Sequence, residues 1–179
     1  MLTDTERGRL LAIAREAIVA HIRGTALDDV LLANPDNTRG GAFVTLHRGR
    51  ELRGCIGHVE RDDLLGRVVA QCAVAASSSD PRFPPVTAGE VDELSIEISV
   101  LGPLEPIAGP GDIEIGPHGL LVEKGSSREL LLPQVATEWG WDREQFLAQT
   151  CRKAGLSSTA WKSGATLWRF EAEVFGEPR

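Results

Sequence analysis

The chain has 179 residues, 42% of them hydrophobic and 25% charged, with a net charge of -7 and a sequence pI of about 5.1. That length can bury a real core without covalent staples, and the acidic balance argues against a broad phosphate-binding footprint, so nucleic acid is not an expected partner. Three cysteines with no close spacing argue against a disulfide framework and for a reducing compartment. The opening MLTDTERGRLL mixes acids and bases and does not read as a signal peptide. The apolar runs are far short of a membrane span. These features together predict a soluble cytoplasmic protein without membrane contact.

In chain order, Thr3 and Glu6 form a capping box that starts a helix. Leu11, Ala14, Ile18 and Ile22 repeat at helical spacing up to Gly24, with His21 beside that stripe. Residues 25–41 read as loop, with NPDNTRGG as the clearest breaker. AFVTLHRGRELRGCIGHV then predicts two strands joined at Arg48-Gly49. Asp62 or Asp63 is the expected opening of a helix that buries Leu65, Val68, Val69, Cys72 and Ala76. After SSSDPRFPP, strict alternation of Leu94, Ile96, Ile98 and Val100 with Ser95, Glu97 and Ser99 predicts a half-buried strand.

The stretch 103–118 is rich in proline and glycine, with a short strand expected at Ile113–Ile115. GLLVEKGSSRELLL reads as a hairpin turning near Gly125-Ser126. Pro133 suits the first turn of a short helix through Trp139. Asp142 with Gln145 starts another, with Phe146, Leu147, Cys151 and Ala154 on its apolar face and Gly155 at its end. A last strand, Leu167 to Val174, places Trp168, Phe170, Ala172 and Val174 on one side. Hairpins dominate and strands do not alternate regularly with helices. The expected class is therefore α+β, a mainly antiparallel sheet with packed helices. A lobe boundary is expected near 102–118, with the last strand returning to the first lobe.

Chemistry concentrates in ELRGCIGH. Arg39, Arg48, Arg50, Arg53 and His47 reverse the sign of an acidic chain there, against Glu51 alone. On a regular strand Arg53 and Cys55 share one face, and Leu52 and Ile56 the other. A guanidinium beside a thiol favours the thiolate, and Gly54 and Gly57 would leave room for a ligand at the sulfur. Cys55 is equally a small filler of a glycine-kinked strand. His58, three residues on, is a candidate general base. Cys55 and His58 alone fall short of a zinc ligand set, because Cys72 and Cys151 lie on apolar stripes, so no metal is expected. In SDPRFPPV, Asp80, Arg82 and Phe83 form a stiff wall that either only shapes a loop or faces a ligand. His118, between turn residues, is either solvated or faces a cleft. The chain carries no Gly-x-Ser-x-Gly elbow, phosphate loop or dinucleotide fingerprint.

RGGAFVTL, LRGCIG, SDPRFPPV, LSIEISVLGPLEPI, IGPHGLLV, LLPQVATEWGW and CRKAGL, followed by a tryptophan, occur in this order. The set resembles the AMMECR domain family, whose bacterial and archaeal members are called AmmeMemoRadiSam system protein A. The resemblance covers about residues 7 to 176 and implies a single domain over 1–179, with a larger and a smaller lobe and a cleft between them. It also implies a pathway shared with a Memo-like protein, similar to extradiol dioxygenases, and a radical S-adenosylmethionine enzyme. The chain itself lacks the Cys-x-x-x-Cys-x-x-Cys motif of radical enzymes. His58 stands where the family pattern leads one to expect a small hydroxyl residue. Two functions follow as expectations. One is an enzyme, or enzyme component, acting on a small anionic ligand through Cys55, with Arg53, His58, Gly54, Gly57, Asp80, Arg82 and His118 around it. The other is a scaffold module that docks through the LRGCIG strand. Neither names a cofactor.

Overall fold

The computed structural model describes residues 1–27 and 38–178. Part of the expected NPDNTRGG loop lies outside them. The described chain divides into two units, Met1–Leu101 with Glu173–Arg179, and Gly102–Ala172.

In the first unit, helix α1 spans Asp4–Arg23. Its capping box forms as the sequence dictates, the Thr3 hydroxyl accepting from Glu6 N and the Glu6 carboxylate from Thr3 N. Gly24 ends it in the left-handed region, φ 66°. The buried stripe is Leu10, Ile13, Ala14, Ala17 and Ile18, rotated from the expected one, with Leu11 and Ile22 at its margin. Strands β1 (Ala42–Arg48) and β2 (Glu51–His58) make an antiparallel hairpin, turning at Gly49 (φ 61°) and Arg50. β3 (Leu94–Leu101) pairs antiparallel with the other edge of β1, so β2 is the edge strand.

Helix α2 spans Leu65–Ser78, and neither Asp62 nor Asp63 caps it. The N-cap position is Leu64, whose N–H goes to the Asp63 carboxylate, while Leu65 N finds Thr38 O. α1 and α2 cover one face of β1 and β3, burying Val44, Leu46, Ile96 and Ile98. Ser95 and Ser99 on the opposite face are also buried, so β3 is enclosed on both sides rather than half-buried. The segment after Gly176 closes this unit: Glu177 exchanges hydrogen bonds with Ile96, and Arg15 pairs with its carboxylate.

In the second unit, β4 (Glu105–Ile107) and β5 (His118–Lys124) flank β7 (Thr166–Gly176), and β6 (Ser127–Leu131) pairs with β5. All pairings are antiparallel. Helices α3 (Pro133–Trp139) and α4 (Arg143–Lys153) form where Pro133 and the Asp142–Gln145 capping box place them. Their apolar faces close a core of Ile113, Leu120, Val122, Phe146, Leu147 and Cys151. No strand forms at Ile113–Ile115. Asp112 accepts from Ala108 N and ends a 3-10 turn, Pro110–Asp112, which drops Ile113 into the core. In β7 the buried residues are Leu167 and Phe170. Val174 is exposed, and Phe175 packs on the first core instead. Both units are α+β. Among the described residues no helix is long and apolar enough to cross a membrane.

Candidate functional site

The site is built on the outer edge of β2. Between Leu46/His47 of β1 the ladder shifts register: Leu46 faces Gly54, while His47 faces Leu52. Arg53 is the extra residue of a β-bulge, and a bulge resets the in–out alternation of its strand. Leu52 is consequently 39% exposed instead of sharing the core side with Ile56. The bulge also sends the Arg53 guanidinium away to Glu90, at 3.1 Å from Nε, and to the carbonyl oxygens of Pro84 and Pro85. Arg53 thus clamps the 84–90 loop. It holds the Glu90 carboxyl down to about 2, with Thr87 N–H helping.

The guanidinium that reaches Cys55 belongs to Arg82, whose Nη2 lies 3.4 Å from the Cys55 carbonyl oxygen. Asp80, 4% exposed, organises this corner. One of its oxygens accepts from Cys55 N at 2.9 Å and from Arg82 Nη2 at 2.7 Å, the other from Arg82 N and Nε. The Arg82 hydrogen bonds hold the Asp80 carboxyl far below the usual carboxylate range. Asp80 raises the Arg82 pKa in return, and a Cys55 charge acts in the same direction. An edge strand presents unpaired N–H and C=O groups to any passing strand. At Cys55 both are taken, the N–H by Asp80 and the C=O by Arg82.

The sulfur has its own partner. Thr45 stands directly opposite Cys55 in the ladder, and its hydroxyl donates to Sγ at 3.3 Å. Thr45 is buried and Cys55 half-buried. Sequence reading missed Thr45 because a lone threonine on a strand carries no signal. The register set by the turn at Gly49 would have placed it opposite Gly54, and only the bulge at Arg53 brings it to Cys55.

The two glycines do not make room for a ligand. A Cβ on Gly54 would sit 2.2 Å from Ala76 O, because α2 crosses the strand there at backbone distance. A Cβ on Gly57 would clash with the Phe43 ring, 2.3 Å from its nearest atoms, and Phe43 is its ladder partner. An aromatic ring covering a cross-strand glycine stabilises such a strand.

His58 ends β2 at odd spacing from Cys55, on the opposite face of a regular strand. Its ring pairs with Asp62 at 3.2 Å and Glu60 at 3.7 Å, which removes the geometric case for it as the base of Cys55. His118 belongs to the second unit, where its Nδ1 accepts from Glu114 N. Cys72 and Cys151 are core residues as the helical stripes require. Burial pushes the Cys72 thiol up to about 12 and raises that of Cys151. Among the described residues no group of three or more His, Cys, Asp and Glu side chains is placed to hold a metal ion.

The likeness to other proteins spans this whole arrangement. The AMMECR1 family model matches residues 11–175. A protein of Methanothermobacter thermautotrophicus is 46% identical, over 98% of this chain and 96% of its own length. A protein of Thermococcus gammatolerans is 45% identical, over 94% and 88%. The crystal structure of uncharacterized protein PH0010 from Pyrococcus horikoshii superposes with a TM-score of 0.88 at 41% identity, covering 94% of this chain and 89% of that one. With a family match over nearly its full length and relatives this similar, the chain belongs to the AMMECR1 family.

Proposed function

We infer that the β2 edge is the working site, and that it takes a small anionic ligand beside the Cys55 thiol. The observation that carries this is Arg82. Its Nε and Nη2 are fixed by Asp80 and the Cys55 carbonyl, the side chain is half exposed, and Nη1 forms no hydrogen bond among the described residues. A guanidinium pinned through Nε and Nη2, with Nη1 open, is preorganised to donate to an oxygen of a carboxylate or phosphate. Thr45 donating to Sγ suits a thiolate, because a hydrogen bond to the charged form favours it. Arg82 thus takes the role that sequence spacing gave to Arg53. The protein then acts in the cytoplasm as an enzyme or enzyme component, in a pathway shared with the Memo-like and radical S-adenosylmethionine proteins that accompany AmmeMemoRadiSam members of the family.

Small molecules retained from cell extract by the wild type, Arg82→Gln and Cys55→Ala proteins test the reading by mass spectrometry. The wild type retains an anion that Arg82→Gln loses, and Cys55→Ala alters its fate. Identical profiles for all three would sink it. Metabolite profiles after single deletion of each of the three genes test the shared pathway, and three unrelated profiles would remove it. The alternative, docking through the LRGCIG strand, draws support from the exposure of Leu52. At Cys55 such docking runs through side chains, since Asp80 and Arg82 occupy the backbone edge, and it tolerates Cys55→Ala.

A further inference from the structure

The corner between α3 and α4 presents a fixed aromatic pair to solvent. Trp139, the last residue of α3, is 70% exposed. Its ring stacks on Trp141, with centroids 6.1 Å apart and planes 17° from parallel. Trp141 in turn tilts against the buried Phe146 at 6.5 Å. The backbone on either side is set: Gly140 closes α3 in the left-handed region, φ 63°, and Asp142 caps α4. The exposed indole is therefore held in place by its neighbours. Burying a rigid tryptophan costs little conformational entropy, which is why tryptophans anchor interfaces.

The charge around the pair selects the partner. Along the chain Glu138, Asp142 and Glu144 lie within three residues of the pair, against the single base Arg143. Glu138 and Glu144 are exposed and form no hydrogen bond or ion pair among the described residues. Asp142, Arg143 and Glu144 also line a depression of about 530 Å³ with Pro110, Gly111 and Ile115, so the acidic rim borders a hollow surface. We propose that this corner docks an arginine-bearing segment of another protein, with a guanidinium stacked on Trp139 and hydrogen-bonded to the Glu138 or Glu144 carboxylate. Arginine fits better than lysine because its planar group stacks on an indole while donating to a carboxylate. A second copy of this chain, itself at net charge -7, and an anionic lipid surface both bring the wrong sign. The surface lies wholly within the second unit, so the inference stands independently of the Cys55 reading.

The probe is a capped Gly-Arg-Leu-Arg-Gly peptide, compared with its citrulline counterpart of equal shape and no charge. Each is titrated into the full-length protein while the indole N–H resonances are followed by NMR, the Trp139 signal being assigned by its loss in Trp139→Ala. The Trp139 resonance should shift saturably with the arginine peptide. The citrulline peptide should bind at least about twofold to fivefold more weakly, the range of an exposed cation–π contact. A double Glu138→Gln, Glu144→Gln variant should bind the arginine peptide more weakly than wild type. No shift at millimolar peptide, or equal binding of the two peptides, overturns the proposal. So does a Trp139 resonance that moves with protein concentration alone, which would assign the corner to a second copy. A shift produced by phosphatidylserine vesicles and not by the peptide overturns it in favour of a membrane surface.

Discussion

Cys55 and Cys72 belong to adjoining elements of the same unit, β2 and the helix that packs across it, yet their surroundings are opposite. Cys72 sits between α2 and the sheet, 4% exposed, with the Ala42 carbonyl 3.6 Å from its sulfur. Burial there raises its pKa to about 12. Cys55 lies on the strand edge, with a hydroxyl donor on its sulfur, a carboxylate on its N–H and a guanidinium on its carbonyl. Thiol chemistry follows the thiolate and its access. A few ångströms of strand thickness thus separate an inert filler from a thiol in a polar frame.

The largest effect should appear in alkylation of the native protein. At pH 8 a thiol at about 12 is thiolate on the order of a thousandfold less often than one near about 8.5. Cys55 should therefore label about a hundredfold or more faster than Cys72, read by peptide mass after a short pulse. Equal rates would erase the contrast. Gly54→Val attacks the wall between the two regions. Its side chain would meet Ala76 O, which a helix backbone cannot yield, and about 3 kcal/mol or more of stability should be lost in urea unfolding. An unchanged midpoint would mean that α2 does not pack at the distance described.

Asp80→Asn is next, at about 1–3 kcal/mol, because it removes the charge that binds both Arg82 and the Cys55 N–H in a buried setting. The sign of its pH dependence follows from a folded-state pKa that is lowered. The carboxylate's contribution is complete above the ordinary range near about pH 4 and is lost as pH falls below it. Wild-type stability should accordingly fall more steeply than that of Asp80→Asn between about pH 4 and pH 2, while Glu90 adds the same slope to both proteins. Parallel profiles would show that Asp80 titrates as an ordinary carboxylate. Thr45→Val is the mildest test. It keeps the shape of the pair opposite Cys55 and removes the hydrogen bond, which should slow Cys55 labelling by about twofold to tenfold. An unaltered rate would leave Thr45 as packing only.

Much of this was legible along the chain because its causes are local. Capping boxes at Thr3 and Asp142, Pro133 at a helix start and Gly125 at a turn act within a few residues. The apolar stripes of α2 and α4 marked Cys72 and Cys151 as core on the same ground. The ordered motifs carried the family. What failed lay where the cause was distant. Spacing chose Arg53 for Cys55, since i and i+2 share a face, but one extra residue in β2 broke that rule. Asp80 and Arg82 reach the site from 25 and 27 positions away, so strand periodicity carried no trace of the contact.

The glycines mark the division most clearly. That a glycine between Arg53 and Cys55 signals close approach followed from its missing Cβ. Which atom approaches depended on what the fold laid against the strand: a helix carbonyl at Gly54 and the Phe43 ring at Gly57. The sequence by itself determined the α+β class, most helix ends, the hairpins and the family, because capping, turn chemistry and apolar period act over a few residues. Only the tertiary structure decided which cation serves Cys55 and what fills the space over each glycine. Those depend on pairings across strands and loops, where a one-residue bulge or a helix crossing outweighs local spacing.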